Sequence, residues 1–350
     1  MAGHEPILIR RGGLGHGGLT SLFAVARVFS GIQPSGTLHL GNYLGALQRF
    51  VQRQEVDDAY YCIVDLHALT LEISPEVLRQ ATIDTAALFL AAGIDPDRCV
   101  LFVQGHVPEH TQLAWLLECT ASYGELQRMT QFKDKAQGRD QVRSSLLTYP
   151  VLMAADVLLY DTNIVPVGDD QRQHLELTRN LAERFNHRYG KTFVVPEMDI
   201  PEIGARIMDL QVPTKKMSKS TSSPQGLIAL SDTPAEIERK FRRAVTDSET
   251  EVRYDPEHKP GVSNLLEILA AANGKDPAGL ASGIASYGEL KQAAADAVIE
   301  LFAPVRESYA ELAADPGTVA AALRKGAEKA EAIAAPTLER AQRAIGLLST

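Results

Sequence analysis

The sequence predicts an α/β fold: a Rossmann-type doubly wound parallel sheet followed by an all-helical C-terminal region. Three observations lead there. Short, continuously apolar runs such as Tyr60–Val64 and Cys99–Val103 recur in the first half, as in strands covered on both faces. Helical patterns lie between them, in the rhythm of βαβ units. Beyond about Gly226, strand signals become scarce and alanine becomes frequent.

The first 24 residues carry Gly12, Gly13, Gly15, Gly17 and Gly18. So many glycines disfavour a stable element, and residues 1–24 are expected to be a flexible extension. The α/β domain is expected over 25–225 and the helical domain over 226–350. Ala26–Ile32 is β-prone, and Asn42–Arg53 reads as a helix. After the strand at Tyr60–Val64 comes a helix at Pro75–Ala92, with Pro75 at its first position. Strand Cys99–Val103 leads to a helix at Gln112–Cys119. A helix beginning near Pro150, a strand at Asn163–Val167 and a helix at Gln171–Tyr189 complete the first domain. Helices are expected at Pro234–Ala244, Ser263–Ala272, Tyr287–Ala303 and Val319–Leu348. Turns at Pro256, Pro260–Gly261, Asp276–Pro277 and Asp315–Gly317 separate them.

Composition excludes several classes. The chain has 350 residues, 45% of them apolar, enough for one large core or two moderate ones. Its longest apolar run falls short of the roughly 20 residues a membrane helix needs. Arg10 and Arg11 precede no apolar segment of a secretory signal. Cys62, Cys99 and Cys119 are odd in number and lack metal-site spacing, so neither a disulfide framework nor a zinc site is expected. A reducing cytoplasm fits. The net charge of −9 weighs against a nucleic-acid partner, yet binding depends on local neutralisation of phosphates. Two segments are locally basic: Arg128–Arg143 and Lys215–Arg243.

Two loops carry candidate chemistry. The first runs Phe29–Asn42 (FSGIQPSGTLHLGN): a strand, a Gly-rich loop and a helix start. Helix N-termini offer free N–H groups to phosphate. Gly41 allows close approach of a nucleotide, and His39 and Asn42 are short polar groups able to reach phosphate or ribose. The plain alternative is a Pro-Ser-Gly turn before an ordinary helix. The second loop is Lys215-Lys216-Met217-Ser218-Lys219-Ser220. Its lysines can neutralise a departing pyrophosphate, and its serines can donate hydrogen bonds to it. Alone, it equally reads as a solvated basic loop.

Together these motifs resemble the signature pair of class I aminoacyl-tRNA synthetases. Further stretches resemble the bacterial tryptophanyl branch: Asp65-Leu66-His67, Gly124–Lys135 (GELQRMTQFKDK), Leu147–Tyr160 (LLTYPVLMAADVLLY), Val165–Arg179 (VPVGDDQRQHLELTR), Gly204–Met208 (GARIM) and Ala244–Ser248 (AVTDS). The likeness is dense to about Leu269 and thinner beyond. The first motif reads His-Leu-Gly-Asn where the class generally has His-Ile-Gly-His, and Leu66 stands where similar proteins often carry a polar residue.

The resemblance implies activation of L-tryptophan with ATP to tryptophanyl-AMP, release of pyrophosphate, and transfer to tRNA(Trp). It implies that 25–225 is catalytic and that 226–350 binds tRNA. His39, Asn42, Lys216, Ser218 and Lys219 would take part in catalysis. ATP would meet Gln33, Pro34, Ser35, Gly41 and Asn42 in the first loop, and Ile207 with Lys216, Met217, Ser218, Lys219 and Ser220 in the second. Gly168, Asp169 and Asp170 would meet the ribose side of ATP, at a strand end where such sheets bind ligands; an Asp at a helix start is also simply a good cap. Mg²⁺ would accompany the nucleotide, with Lys135 a further candidate for organising it. No protein-held metal is expected.

The tryptophan pocket centres on Asp156. Tyr149, Met153 and Asp156 are spaced to share a helix face, and an Asp among apolar neighbours needs a partner. By resemblance that partner is the indole N–H, which can only donate; the alternative is a protein donor or exposure to solvent. Phe29, Gly31, His67, Gln131 and Met153 would form walls, and Tyr149 and Gln171 would hold the α-amino group. A homodimer is implied, with Trp115 at an interface or in the core. The rival readings are a tyrosyl-tRNA synthetase, a non-catalytic relative that binds tryptophan or tRNA, and another nucleotidyltransferase on the same fold, which would leave the helical C-terminal domain unexplained.

Overall fold

The computed structural model describes residues 25–34, 38–137, 141–168, 171–199, 207–218 and 223–348. The expected extension over 1–24 lies outside them. Five parallel strands form one sheet in the order β3-β2-β1-β4-β5: β1 Arg27–Ile32, β2 Asp58–Ile63, β3 Val100–Val103, β4 Ile164–Pro166 and β5 Glu197–Asp199. The register sets Phe29 against Tyr60, Gly31 against Cys62, and Tyr61 against Leu101. Side chains alternate between two cores, as the two-residue strand period requires. Ala59, Tyr61 and Ile63 enter one, Tyr60 and Cys62 the other. The chain winds outward from β1 to β3, then returns to place β4 beside β1. The order therefore reverses between β1 and β4, and sheets of this kind take ligands outside the carboxyl ends of the strands at such a point.

The helices run α1–α14 in chain order, with α3 at Asp65–Ala68, α5 at Glu109–Glu118, α6 at Tyr123–Gln127, α7 at Thr130–Ala136 and α9 at Arg172–Tyr189, and sequence signals fix several of them locally. The start of α4 (Pro75–Ala91) is capped by Ser74, whose Oγ accepts from Val77 N at 3.3 Å, with Pro75 at the first position. The same logic starts α10 (Pro234–Arg242). There Thr233 and Glu236 bond reciprocally. α11 (Pro260–Asn273) ends at Gly274, whose φ of 64° is the left-handed cap conformation.

Several elements differ from expectation. The fifth strand, β5, was not anticipated: three residues with Glu197 exposed carry no apolar run. The helix placed near Pro150 starts six residues earlier, as α8 (Ser144–Leu158), with Pro150 buried inside it. Burial of Pro150, Val151, Ala154 and Ala155 outweighs the missing backbone donor. Asp276–Pro277 opens a short helix, α12 (Pro277–Ala281), rather than a turn alone: Asp276 Oδ2 accepts from Gly279 N at 2.7 Å. α13 (Tyr287–Ala314) runs through Pro304 well past the expected stop. The helix after β1 has three consecutive parts: α1 (Leu40–Asn42), a π-helical turn over Tyr43–Leu47, and α2 (Gln48–Arg53).

The C-terminal helices pack onto the sheet layers. α13 lies against α4, α10 and α11, and Phe302 meets Tyr43 edge-on at 5.4 Å. α14 (Pro316–Ile345) crosses the outer edge of β3. Its Val319 and Leu323 join one core, and Ala330, Ala334, Leu338 and Ala341 join the other. At the crossing stands Gly326, where a Cβ would lie 1.7 Å from Leu101 O. Among the described residues no helix is long and apolar enough to cross a membrane.

Candidate active site

Two adjoining constellations lie at the sheet's carboxyl end. The first is built by main-chain pairing between distant loops. Leu40 N donates to Ile228 O at 2.8 Å, and Leu230 N to Leu38 O at 3.0 Å. His39 thereby bridges antiparallel to Ala229. Met208 bridges Lys216, and Met217 N donates to Ile207 O at 3.0 Å. Asn264 of α11 holds this hairpin, accepting from Met208 N at 2.8 Å and donating to Met208 O at 3.0 Å. A Cβ on Gly41 would sit 3.7 Å from Ile207 Cβ, so the His-Leu-Gly-Asn turn and the lysine hairpin are neighbours.

Asn42 Oδ1 accepts from His39 N at 3.2 Å. Lys216 is exposed and Ser218 half-buried, positions from which a polyanion is reachable. Ile207 and Met217 are 1% and 2% exposed and belong to the apolar core, so any contact they make with a nucleotide passes through the main chain. Pro34 is buried, and Gln33 Nε2 donates to His67 O at 3.3 Å. Gly168 is exposed beyond β4, its carbonyl accepting from Gln171 N at 2.9 Å. Ser35, Asp169, Asp170, Lys219, Ser220 and the side chain of Lys135 lie outside the described residues.

The second constellation surrounds Asp156 on α8, which is 1% exposed. Its Oδ1 accepts from Gln104 Nε2 at 2.6 Å and lies 2.6 Å from His110 Nδ1. Its Oδ2 lies 2.8 Å from His67 Nε2. Burial by itself would push this carboxyl upward; the hydrogen bonds from His110 and His67 instead hold it far below the usual carboxylate range. Asp156 is thus an ionised acceptor in an apolar surround, satisfied here by protein donors.

Phe29 stacks on Tyr160 with centroids 5.6 Å apart and planes at 9°. Gly31, at the end of β1, is exposed. Tyr149 shares α8 with Asp156 and faces His67 edge-on at 6.3 Å. Its Oη donates to Gln131 Oε1 at 3.1 Å and lies 2.8 Å from His174 Nε2, whose Nδ1 is 3.0 Å from Gln171 Oε1. Burial pushes the Tyr149 phenol up to about 12, so it stays neutral. Met153 is half-buried on the same helix.

The structure therefore links Gln131, Tyr149, His174 and Gln171 in one chain of hydrogen bonds, and brings His67 to Asp156. Sequence reasoning did not single out Gln104, His110, Tyr160 or His174. One signal existed: His110 and Asp156 each interrupt an apolar helical stripe, and two such buried polar groups can satisfy each other. Trp115 is 65% exposed. It lines a cleft of about 220 Å³ beside His67 and Tyr149.

Known proteins resemble this chain in sequence and fold. The family model for class I tRNA synthetases (W and Y) matches residues 24–303. The tryptophan–tRNA ligase 1 of Streptomyces coelicolor is 54% identical over 330 residues, 93% of this chain and 98% of that protein. The crystal structure of tryptophanyl-tRNA synthetase from Mycoplasma pneumoniae superposes with a TM-score of 0.86 at 38% identity, over 93% of this chain and 99% of the other. That from Campylobacter jejuni, complexed with ADP and tryptophan, gives 0.80 at 36% identity, over 92% and 100%.

Proposed function

The chain belongs to the class I tRNA synthetases of the tryptophan and tyrosine branch, and from that premise we propose that it is a tryptophan–tRNA ligase. It activates L-tryptophan with ATP, releases pyrophosphate, and transfers tryptophan from tryptophanyl-AMP to tRNA(Trp). The observation that carries the choice of amino acid is the buried, ionised Asp156. An indole N–H is a donor without an acceptor. A site built around such a bond disfavours analogues lacking it by roughly 10⁴–10⁵-fold.

In the first step the substrate carboxylate attacks the α-phosphorus of ATP, and the bond to the pyrophosphate oxygen breaks. A carboxylate at neutral pH is already ionised, so this step needs no general base. Catalysis rests on positioning and on stabilising charge at the leaving group. His39 and Asn42 orient the phosphates, and Lys216, Ser218 and Lys219 meet the pyrophosphate. Gln33, Pro34, Ser35, Gly41, Gly168, Asp169, Asp170, Ile207, Met217 and Ser220 form the rest of the ATP site. Phe29, Gly31, His67, Gln131 and Met153 wall the indole, and Tyr149 and Gln171 hold the α-amino group. The His174 contacts at 2.8 and 3.0 Å support that pairing. In the second step the adenylate carbonyl passes to a hydroxyl of the tRNA terminal ribose, with AMP leaving.

Mg²⁺ accompanies ATP in this reading. Among the described residues no group of three or more His, Cys, Asp or Glu is arranged to hold a metal, and none of these steps passes through the ion. The helical region 226–350 carries the anticodon contacts. The enzyme works in the cytoplasm as a homodimer, and the exposed Trp115 supports a subunit contact there.

The test is amino-acid-dependent ATP–pyrophosphate exchange across the twenty amino acids. Exchange with tryptophan alone is the expected result; exchange with tyrosine, or with none, would replace this reading. Within that assay, Lys219→Ala is expected to lower kcat by at least about tenfold while leaving the tryptophan KM nearly unchanged. An unaltered kcat removes Lys219 from the chemistry.

A further inference from the structure

We propose that His110, backed by Tyr160 and flanked by Gln104, is a positioning residue that fixes Asp156 as the selective acceptor for a substrate ring N–H. This rests on the reading that Asp156 meets that N–H. The His110 side chain has no exposed surface and does not reach the substrate, so its influence passes through Asp156.

The proton order follows from the partners. His110 Nδ1 lies 2.6 Å from an ionised carboxylate oxygen, so it carries the proton and donates. His110 Nε2 lies 2.7 Å from Tyr160 Oη. Burial pushes the Tyr160 phenol well above its ordinary value, so it keeps its proton and donates to Nε2. A single tautomer thus runs from Tyr160 O–H through the imidazole to Asp156 Oδ1. Gln104 Nε2 donates to the same oxygen at 2.6 Å.

A carboxylate oxygen has two lone-pair sites. Both sites of Oδ1 are used by donors that themselves sit in the protein interior. Among the described residues the remaining oxygen, Oδ2, has one bond, from His67 Nε2 at 2.8 Å, which leaves one lone pair for a ligand. Without two anchors on Oδ1, the carboxylate could rotate about its terminal torsion and lose this division of labour. The same Tyr160 ring stacks under Phe29 at 5.6 Å, so the relay is also packed against a wall of the pocket. A substrate with sulfur in place of N–H sets a lone pair against the lone pair of Oδ2, and fixed geometry is what makes that mismatch costly.

The experiment compares kcat/KM in ATP–pyrophosphate exchange for tryptophan and for 3-benzothienylalanine, in which sulfur replaces the ring N–H. His110→Leu is expected to lower the preference for tryptophan at least about tenfold. The loss should lie in the tryptophan KM, with the ATP KM unchanged. His110→Asn, whose amide N–H stands where Nδ1 stood, should restore most of the preference. Tyr160→Phe should lower it at least about threefold. A folded His110→Leu that keeps the preference, or slows both substrates equally, overturns the proposal. If His110→Leu does not fold, an unchanged preference in Tyr160→Phe overturns it instead. Asp156→Asn separates the two ideas. If that variant keeps the preference, the assignment of Asp156 itself is wrong. If it loses the preference while His110→Leu keeps it, only the role of His110 fails.

Discussion

Asp156→Asn is expected to reduce kcat/KM for tryptophan in pyrophosphate exchange by roughly 30- to 1,000-fold, equivalent to about 2–4 kcal/mol. The change is nearly isosteric, so the loss measures chemistry rather than volume. Gln104, His110 and His67 all present donors to the carboxylate, within 2.6–2.8 Å. An amide replaces one acceptor oxygen by an N–H₂ group, and either orientation turns it toward a donor in a buried site. The ligand N–H then competes for a weaker, neutral acceptor. Steady-state exchange kinetics check this, and an unchanged tryptophan KM would show that the indole is read elsewhere. The ATP KM should hold, because the His-Leu-Gly-Asn turn pairs with Ile228 and Leu230 and the lysine hairpin closes on Ile207, none of them through Asp156.

Gly326→Ala is expected to destabilise the fold by about 2–5 kcal/mol. An alanine Cβ would lie 1.7 Å from Leu101 O and 2.6 Å from its carbonyl carbon. Both are backbone atoms of a strand paired to β2, so neither moves alone. α14 must retreat, which opens the contacts of Val319 and Leu323 on one side and Ala330 and Ala334 on the other. Better helix propensity returns only about 1 kcal/mol. Gly288→Ala, near the start of α13, is the control: its nearest contact would be 3.8 Å from Ser286 Oγ, so it should be neutral or stabilising. Thermal unfolding of both variants decides the matter, and a Gly326→Ala protein as stable as the parent would mean that α14 does not pack on β3 this closely.

The sheet was legible where burial is two-sided. β2 and β3 are buried on both faces and appear where the apolar runs Tyr60–Val64 and Cys99–Val103 predict them, and β1 appears within the β-prone stretch Ala26–Ile32. β5 was illegible because Glu197–Asp199 gains its strand character only by pairing with β4. The start of α8 was misjudged because a proline is a good first residue locally, while Pro150 is held inside the helix by tertiary packing.

The same contrast governs the site. Asp156 stands out because its apolar neighbours demand a partner. Its partners, 46, 52 and 89 residues away, share no spacing with it, and a histidine on a helix announces no particular bond. Main-chain pairing of 38–40 with 228–230 was equally beyond periodicity. It was the resemblance between whole motifs that put the two loops at one site.

The seat of α14 on β3 bears on how the chain matures during translation. β3 emerges from the ribosome more than two hundred residues before Gly326, which at usual elongation rates is roughly 10–45 seconds. Throughout that interval the outer edge of β3 lacks its cover. Unpaired edges are templates for association with other chains, so the nascent protein passes through a stage when a holdase has something to hold. Release of the last helix closes that window.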